Sequence, residues 1–291
     1  MDISKQICLG VFFHHWNIGH YGYGDGFDMS VLKWEREMEE LGGRVALVTG
    51  AGRGIGAATA KEFGRLGVSV LLAGRTAGDL DRVAGEIVAA GGKATTCVCD
   101  VSDYDDVVRA VETCQLKYGR LDILVNNAGI IDPIVRLGAS DPDKWARVVD
   151  VNYKGVYFGH RAAIPVMEAQ GSGVIINLSS GAAVNAFEGW SHYCSTKAAV
   201  LSLTKCAHLE YFDKGIRVLG LSPGMVATAM QDTIRDSGIL SLGPIDPAQH
   251  ISPEWVARAV AWVCSDAAGD IAGEDFSLRS DDARRRVGLI D

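Results

Sequence analysis

No apolar run in the 291 residues is long enough to cross a bilayer. The short apolar stretch from Cys8 to Phe13 leads straight into His14, His15, Trp16 and Asn17, so the first residues do not read as a signal peptide. The aromatic and basic interleaving that a nucleic-acid surface needs is missing as well. The net charge is -8, and the densest basic run, Arg284 to Arg286, is too short for a nucleic-acid footprint and reads as a solvated tail. None of the 7 cysteines forms a CxxC pair. Cys97 and Cys99 sit two apart in an expected strand, so they share a face and cannot readily bridge each other. They read as reduced thiols, and the chain as cytoplasmic. His14, His15 and His20 have no cysteine or acidic ligand set beside them, so no metal is expected. Membrane, nucleic-acid, disulfide-scaffold and metal classes are set aside on these grounds.

What is present is 48% hydrophobic residues and 35 glycines, a composition that fits a globular α/β protein with glycine-built turns. Periodic patterning starts near Gly43. Residues 43–291 make one domain of about 250 residues. Residues 1–42 form an N-terminal extension. Within it, residues 10–27 combine glycines with Phe12, Phe13, Trp16, Tyr21, Tyr23 and Phe27 in no regular period, and Leu32 to Leu41 reads as a short helix. Met38, just before the first strand, is an alternative start, and the extension's aromatics, if ordered, are expected to cover a subunit surface.

From there the pattern alternates strand and helix. Val45 to Val48 is a buried strand, followed by a turn holding Gly50, Arg53, Gly54, Ile55 and Gly56, then a helix to Leu66. Glycines at those places allow backbone to approach a pyrophosphate, with the helix offering its first N–H groups. The second strand, Val68 to Ala73, ends in Gly74-Arg75-Thr76. An acidic residue there would accept bonds from a ribose 2′-hydroxyl. Arg75, backed by Arg53, suits a 2′-phosphate instead.

Asp79 to Ala90 is a helix and Lys93 to Cys99 the third strand, closed by Asp100 and Val101, with Asp100 placed to meet an adenine amino group. Ser102 is the expected cap of a helix running to Tyr118. The fourth strand, Leu121 to Val125, opens into Asn126, Asn127, Ala128 and Gly129, small enough for close backbone approach. Ser140 and Pro142 start the next helix. Asn152 lies inside it, where an amide often bends the backbone or seats a water. His160 is expected to have no chemical task.

Val174 to Leu178 is a strand ending in Ser179 and Ser180. Tyr193 and Lys197 follow at i,i+4 spacing, on one face of a helix that continues through Phe212. A phenol titrates near ~10 and is a poor proton donor or acceptor at neutral pH. A lysine ammonium alongside would lower that value, while Ser180 could hold the oxygen of a reacting carbonyl or alcohol. Strand six, Ile216 to Leu221, leads to Pro223, Gly224, Met225, Val226 and Thr228 at the carboxyl end of the sheet. Residues 229–252 read as a lid or substrate loop. Pro253 to Ser265 is the last substantial helix and Asp275 to Leu278 a seventh short strand. The alternation implies an α/β fold: one doubly wound parallel sheet of about seven strands, flanked by helices.

Taken together, TGAGRGIG at 49–56, CDV at 99–101, NNAG at 126–129, Asn152, Ser180, YCSTK at 193–197 and SPG at 222–224 resemble the short-chain dehydrogenase/reductase family over roughly Gly43 to Leu278. Ser180 precedes Tyr193 by thirteen residues, the family's usual register. The resemblance implies a Rossmann-like fold, NADP(H) as cofactor, and a catalytic quartet of Asn152, Ser180, Tyr193 and Lys197. By that resemblance Tyr193 is the acid in carbonyl reduction and the base in reverse. Lys197 meets the nicotinamide ribose, Asn152 holds a water joining Lys197 to solvent, and Thr228 holds the carboxamide. Two departures stand out: Leu219 where relatives often have asparagine, and Arg279-Ser280-Asp281-Asp282 where the last strand often closes in Asp-Gly-Gly. The second weakens an acyl-carrier-protein (3-oxoacyl) reductase reading.

The resulting expectation is an NADPH-preferring carbonyl reductase, reversible toward a secondary alcohol and acting on a neutral, moderately apolar ketone lined by Ile131, Phe187, Trp190, His192 and Met225. The alternatives are an NAD-dependent alcohol or sugar dehydrogenase and a non-catalytic cofactor-binding protein. The resemblance also implies a homodimer or homotetramer with a small-molecule substrate.

Overall fold

The computed structural model describes Trp34 and residues 38–239 and 250–290. Expectations for His14, His15, His20, the aromatics of residues 10–27 and most of the tip of the 229–252 loop lie outside the described residues. One sheet organises the chain: β1 (Val45–Thr49), β2 (Ser69–Gly74), β3 (Lys93–Val98), β4 (Ile123–Asn126), β5 (Gly173–Leu178), β6 (Ile216–Ser222) and β7 (Asp275–Ser277). The order is β3-β2-β1-β4-β5-β6-β7, and every pairing is parallel. The chain winds outward from β1 in one direction and then from β4 in the other, so the doubly wound sheet read from the sequence is the fold observed.

Strand alternation feeds two cores. In β1, Ala46 and Val48 face one side, where α1 (Gly54–Arg65), α2 (Ala77–Ala89) and α8 (Pro253–Cys264) pack. Val45 and Leu47 face the other, against α3 (Tyr104–Tyr118), α5 (Gly155–Gln170) and α6 (Ser191–Tyr211). Period-2 side-chain geometry gives each buried strand a double apolar demand, which is why its sequence is continuously hydrophobic.

Several boundaries differ from expectation, each for a local reason. Asp103, not Ser102, caps α3, accepting from the N–H groups of Asp105 and Asp106. The Ser102 hydroxyl instead donates to Asp100 at 2.7 Å. Asp141, not Ser140, caps α4 (Pro142–Val149), because Ser140 turns back to donate to the Leu137 carbonyl. The fourth strand begins at Ile123 rather than Leu121, whose N–H donates to the Gln170 side chain.

A further helix, α9 (Asp281–Arg286), occupies the region read as a solvated tail. Ser280 caps it, Arg286 pairs with Asp270 at 2.7 Å and stacks over Trp262, and Arg284 donates to the Leu278 carbonyl. A short helix, α7 (Ala229–Asp236), starts the 229–252 segment.

Trp34 and Met38, both buried, belong to the core beside α1 and α8. Trp34 lies between the guanidinium groups of Arg65 and Arg258. Trp34 and Met38 thus pack on the chain's own domain. The six described cysteines are free thiols; burial pushes Cys99, Cys114 and Cys264 up to about 12.

Candidate active site

The site residues meet at the carboxyl end of the sheet, where β1 and β4 diverge and loops must open a crevice. Thr49 closes β1 and joins its two neighbours. Its hydroxyl donates to the Val125 carbonyl and accepts from the N–H groups of Asn127 and Ala128. The Asn127 side chain donates back to the Thr49 carbonyl at 2.8 Å. This lacing draws the glycine turn onto the β4 loop. A Cβ at Gly56 would overlap the Gly50 carbonyl oxygen and fall 2.5 Å from Asn127 Nδ2, so only glycine permits the closure. The result is a backbone cradle at the start of α1, formed from Gly50, Gly54, Ile55 and Gly56. It fits a dinucleotide pyrophosphate, whose charge the helix N-terminus favours.

Arg53 in that turn and Arg75 just past β2 are both exposed, and among the described residues neither makes an ion pair. Asp100, expected to meet an adenine amino group, is held in place by its neighbours. Its carboxylate accepts from Ser102 and ion-pairs with Arg147 of α4 at 2.6 Å, although burial opposes the charge. Val101 is buried against Gly155. Gly129 lies beside the Asn152 amide.

Asn152 sits in a π-helical segment, Asp150–Lys154, wedged between α4 and α5. Its side chain accepts from the Ile130 N–H at 2.8 Å and donates to the Ile130 carbonyl at 2.7 Å. The amide ties the π segment to the Ile130 backbone through both of its polar ends.

Ser180 extends from the end of β5, its Oγ accepting from the Ala182 N–H at 3.2 Å. Tyr193 and Lys197 lie one turn apart on α6, both buried. Burial pushes the Tyr193 phenol up to about 12, and a hydrogen bond with Ser180 pulls it back in part. This corrects the expectation of a depressed phenol. Lys197 Nζ donates to the Leu178 carbonyl at 2.5 Å and lies 5.6 Å from the centre of the Tyr193 ring, so its charge is spent on the β5 end. Burial also pushes Lys197 itself down to about 8, against the pull of Asp275.

On the substrate side, Tyr193 borders an apolar cluster of Ile131, Trp190 and Ile234, with Ile134, Phe187 and Met230 packed against it. Trp190 meets Tyr193 edge-on at 5.9 Å and Phe187 at 5.1 Å. His192 does not line this surface. It is fully buried and its Nε2 lies 2.7 Å from the Ile131 carbonyl. His160, expected to be idle, is buried in a polar network: it meets Asn177, which also binds Asn126 and Thr204. Burial lowers it to about 4, so it stays neutral.

Pro223, Gly224, Val226 and Thr228 follow β6 opposite this cluster. Val226 bridges to Ile251, whose N–H donates to the Met225 carbonyl at 2.9 Å, closing the 229–252 segment at its base. Thr228 packs close to Gly54. Sequence reasoning recorded Arg279 only as a departure. Its side chain runs beside Gly181 and Gly224, spanning the loops after β5 and β6.

Residues 44–238 match the family model described as short chain dehydrogenase. The chain is 36% identical over 233 residues to a cyclohexanol dehydrogenase of Acinetobacter sp. (strain SE19), covering 80% of this chain and 92% of the relative. It is 36% identical over 243 residues to a 3-oxoacyl-[acyl-carrier-protein] reductase of Synechocystis sp., covering 83% and 97%. Among solved structures it resembles a gluconate 5-dehydrogenase from Burkholderia cenocepacia in complex with NADP and tartrate. That match has TM-score 0.74 and 29% identity and covers 83% of this chain and 96% of the other.

Proposed function

Because this chain belongs to the short-chain dehydrogenase family, we propose that it is an NADPH-dependent carbonyl reductase. It would run reversibly as a secondary-alcohol dehydrogenase on a neutral, moderately apolar ketone. The family alone establishes the coarser statement: the chain is an oxidoreductase of alcohols or carbonyls that uses a nicotinamide cofactor.

Bound in the crevice, that cofactor supplies or accepts the hydride. Gly50, Arg53, Gly54, Ile55 and Gly56 would hold its pyrophosphate, with Arg75 and Arg53 on the 2′-phosphate. Asp100 and Val101 would lie by the adenine, and Asn127, Ala128, Gly129, Pro223, Gly224, Val226 and Thr228 along the nicotinamide half, where Tyr193 and Lys197 also bind. Tyr193 stays protonated at neutral pH and donates its proton to the substrate oxygen while Ser180 holds that oxygen by a hydrogen bond. Lys197 brings positive charge beneath them. Asn152 shapes the π segment and the Ile130 backbone around the site. A water held at Asn152 would join Lys197 to solvent and complete the proton relay, in a π segment of the kind often found at functional sites.

The observation that supports the cofactor preference is the pair of exposed arginines, one in the glycine turn and one just past β2, which make no ion pair among the described residues, at a strand end that carries Gly74-Arg75-Thr76 and no acidic residue. The apolar cluster beside Tyr193 supports the neutral substrate. The test is initial-rate turnover of neutral cyclic ketones, keto esters, sugars and keto acids with NADPH and NADH in parallel. NADPH should win by about tenfold or more in kcat/KM, and Arg75→Glu should erase that advantage. Faster turnover with NADH would overturn the preference.

Arg279 favours a second reading, an acidic alcohol or sugar dehydrogenase, because its stem passes Gly224 and its guanidinium reaches Gly181. Keto acids outrunning neutral ketones would select it. The same proposal divides the chain into an extension, 1–42, and a catalytic domain, 43–291, with 229–252 as substrate loop. It also places the enzyme in the cytoplasm as a homodimer or homotetramer. Exposed Leu116, Tyr157 and Leu209 on α3, α5 and α6 offer apolar surface for assembly, and a monomeric mass by light scattering would remove that part. No helix among the described residues is long and apolar enough to cross a membrane.

A further inference from the structure

On the sheet face beneath α6, one register line runs Asn177, Gly220, Asp275 across β5, β6 and β7. Ser179, two residues past Asn177 on β5, projects to the same face. Two strands away, at roughly 10 Å of backbone separation, Ser179 would ordinarily be walled off from Asp275 by the β6 side chain between them. Gly220 removes that wall. The Ser179 hydroxyl donates to Asp275 Oδ2 at 3.0 Å across the open place. A Cβ at Gly220 would stand 2.6 Å from Asp275 Oδ1, so a side chain there would push the carboxylate from this place. Asp275 Oδ1 is shielded from solvent and has no hydrogen-bond partner among the described residues. A shielded, half-satisfied carboxylate is costly, and nothing in the packing of β7 requires one.

Its position gives it a use. Ser179 is flanked by Leu178, whose carbonyl receives Lys197, and by Ser180, which meets Tyr193. We propose that Asp275 is a positioning residue of this site: it ties down Ser179, and with it the β5 end that presents the Leu178 carbonyl and the Ser180 hydroxyl, and it supplies the counter-charge to the buried Lys197 ammonium. The inference rests on the reductase reading for its kinetic consequence but not for its electrostatic one.

The titratable groups facing Lys197 are Tyr193, one turn back on α6, and Asp275 from β7. Those facing Asp275 are Lys197 and Lys205, both from α6. Burial drives the Asp275 carboxyl upward, and Ser179, Lys197 and Lys205 pull it back. Reciprocally, Asp275 holds up a Lys197 that burial pushes down. Without the acid, the lysine would shed its proton at lower pH, and the charge beneath Tyr193 would go with it.

The experiment compares Asp275→Asn, which keeps an acceptor for Ser179 and removes the charge, with Ser179→Ala, which keeps the charge and removes the tie. In Asp275→Asn the NMR titration of the Lys197 ammonium and the alkaline limb of kcat should both move down by about one pH unit, with kcat at pH 7 falling about tenfold. Ser179→Ala should lower kcat severalfold and move neither titration. A Lys197 titration unmoved in Asp275→Asn overturns the proposal even if activity falls, and so does a Ser179→Ala enzyme with unchanged kcat.

Should Asp275→Asn fail to fold, Lys197→Met gives the reciprocal test: the Asp275 carboxyl must titrate higher than in the unsubstituted chain, and an unchanged titration overturns the proposal. If the unsubstituted enzyme turns over no carbonyl at all, the reductase reading fails while the two titrations still decide the role of Asp275.

Discussion

Tyr193 and Lys197 are pushed in opposite directions by one cause. Burial disfavours the charged form of each, raising the phenol to about 12 and lowering the ammonium to about 8. The consequences for stability follow from proton counting. Between about pH 8 and pH 10.5 the unfolded chain holds a proton on Lys197 that the folded chain has shed, so this residue's contribution to stability rises with pH across that window and is unfavourable below it. Between pH 10 and about 12 the unfolded chain has lost the Tyr193 proton that the folded chain keeps, so stability falls with pH there.

At neutral pH the buried lysine therefore costs the fold up to about 3 kcal/mol. We predict that Lys197→Met abolishes turnover while raising the midpoint of thermal unfolding at pH 7, an advantage that shrinks as the pH approaches 10. A variant that is both inactive and less stable at every pH would show that the hydrogen bond to Leu178 outweighs the burial.

At the scale of elements, the π segment at Asp150–Lys154 is where the backbone departs most from a regular helix, and Asn152 is the residue that holds it there. Asn152→Ala would remove the partner of both the Ile130 N–H and the Ile130 carbonyl, half-buried groups, at a cost of about 1–3 kcal/mol. It should also lower kcat more than it raises KM, because Ile130 adjoins Ile131 beneath the substrate cluster. Urea unfolding and steady-state kinetics on the same preparation check both parts; unchanged stability would mean that water replaces the amide at Ile130.

The elements were legible where periodicity and punctuation agreed. All seven strands stood in the pattern, and so did the helices between them except α7, whose residues read as a loop. Caps were legible only to within one residue, because Ser102 and Ser140 carry the same capping chemistry as Asp103 and Asp141 and differ only in which neighbour claims their hydroxyl. The helix α9 was missed because three adjacent arginines read as solvated, whereas Asp270 and Trp262, remote in sequence, give Arg286 its place.

Over the whole molecule, the two cores are continuous except where the extension joins one of them. Trp34 is 4% exposed and stacks between Arg65 of α1 and Arg258 of α8, next to Gly288 beyond α9. It thus ties the start of the described chain to its far end. Trp34→Ala should cost about 3–5 kcal/mol, the range for deleting a large core aromatic. Urea unfolding measures it, and a loss below about 1 kcal/mol would mean that the segment rests on the domain without belonging to its core.

By itself the sequence determined the alternation of strands and helices, the glycine turn after β1, and the line-up of Asn152, Ser180, Tyr193 and Lys197. Each of these is written in local spacing, and local spacing is set by backbone geometry. Tertiary structure alone decided where charge is spent: that Lys197 serves the Leu178 carbonyl, that Asp100 is held by Arg147, that His192 turns inward, and that Ser179 reaches Asp275 across a glycine. These pairs are joined by strand order and helix packing rather than by nearness in the chain. Their energies depend on burial, which no single residue's identity reveals.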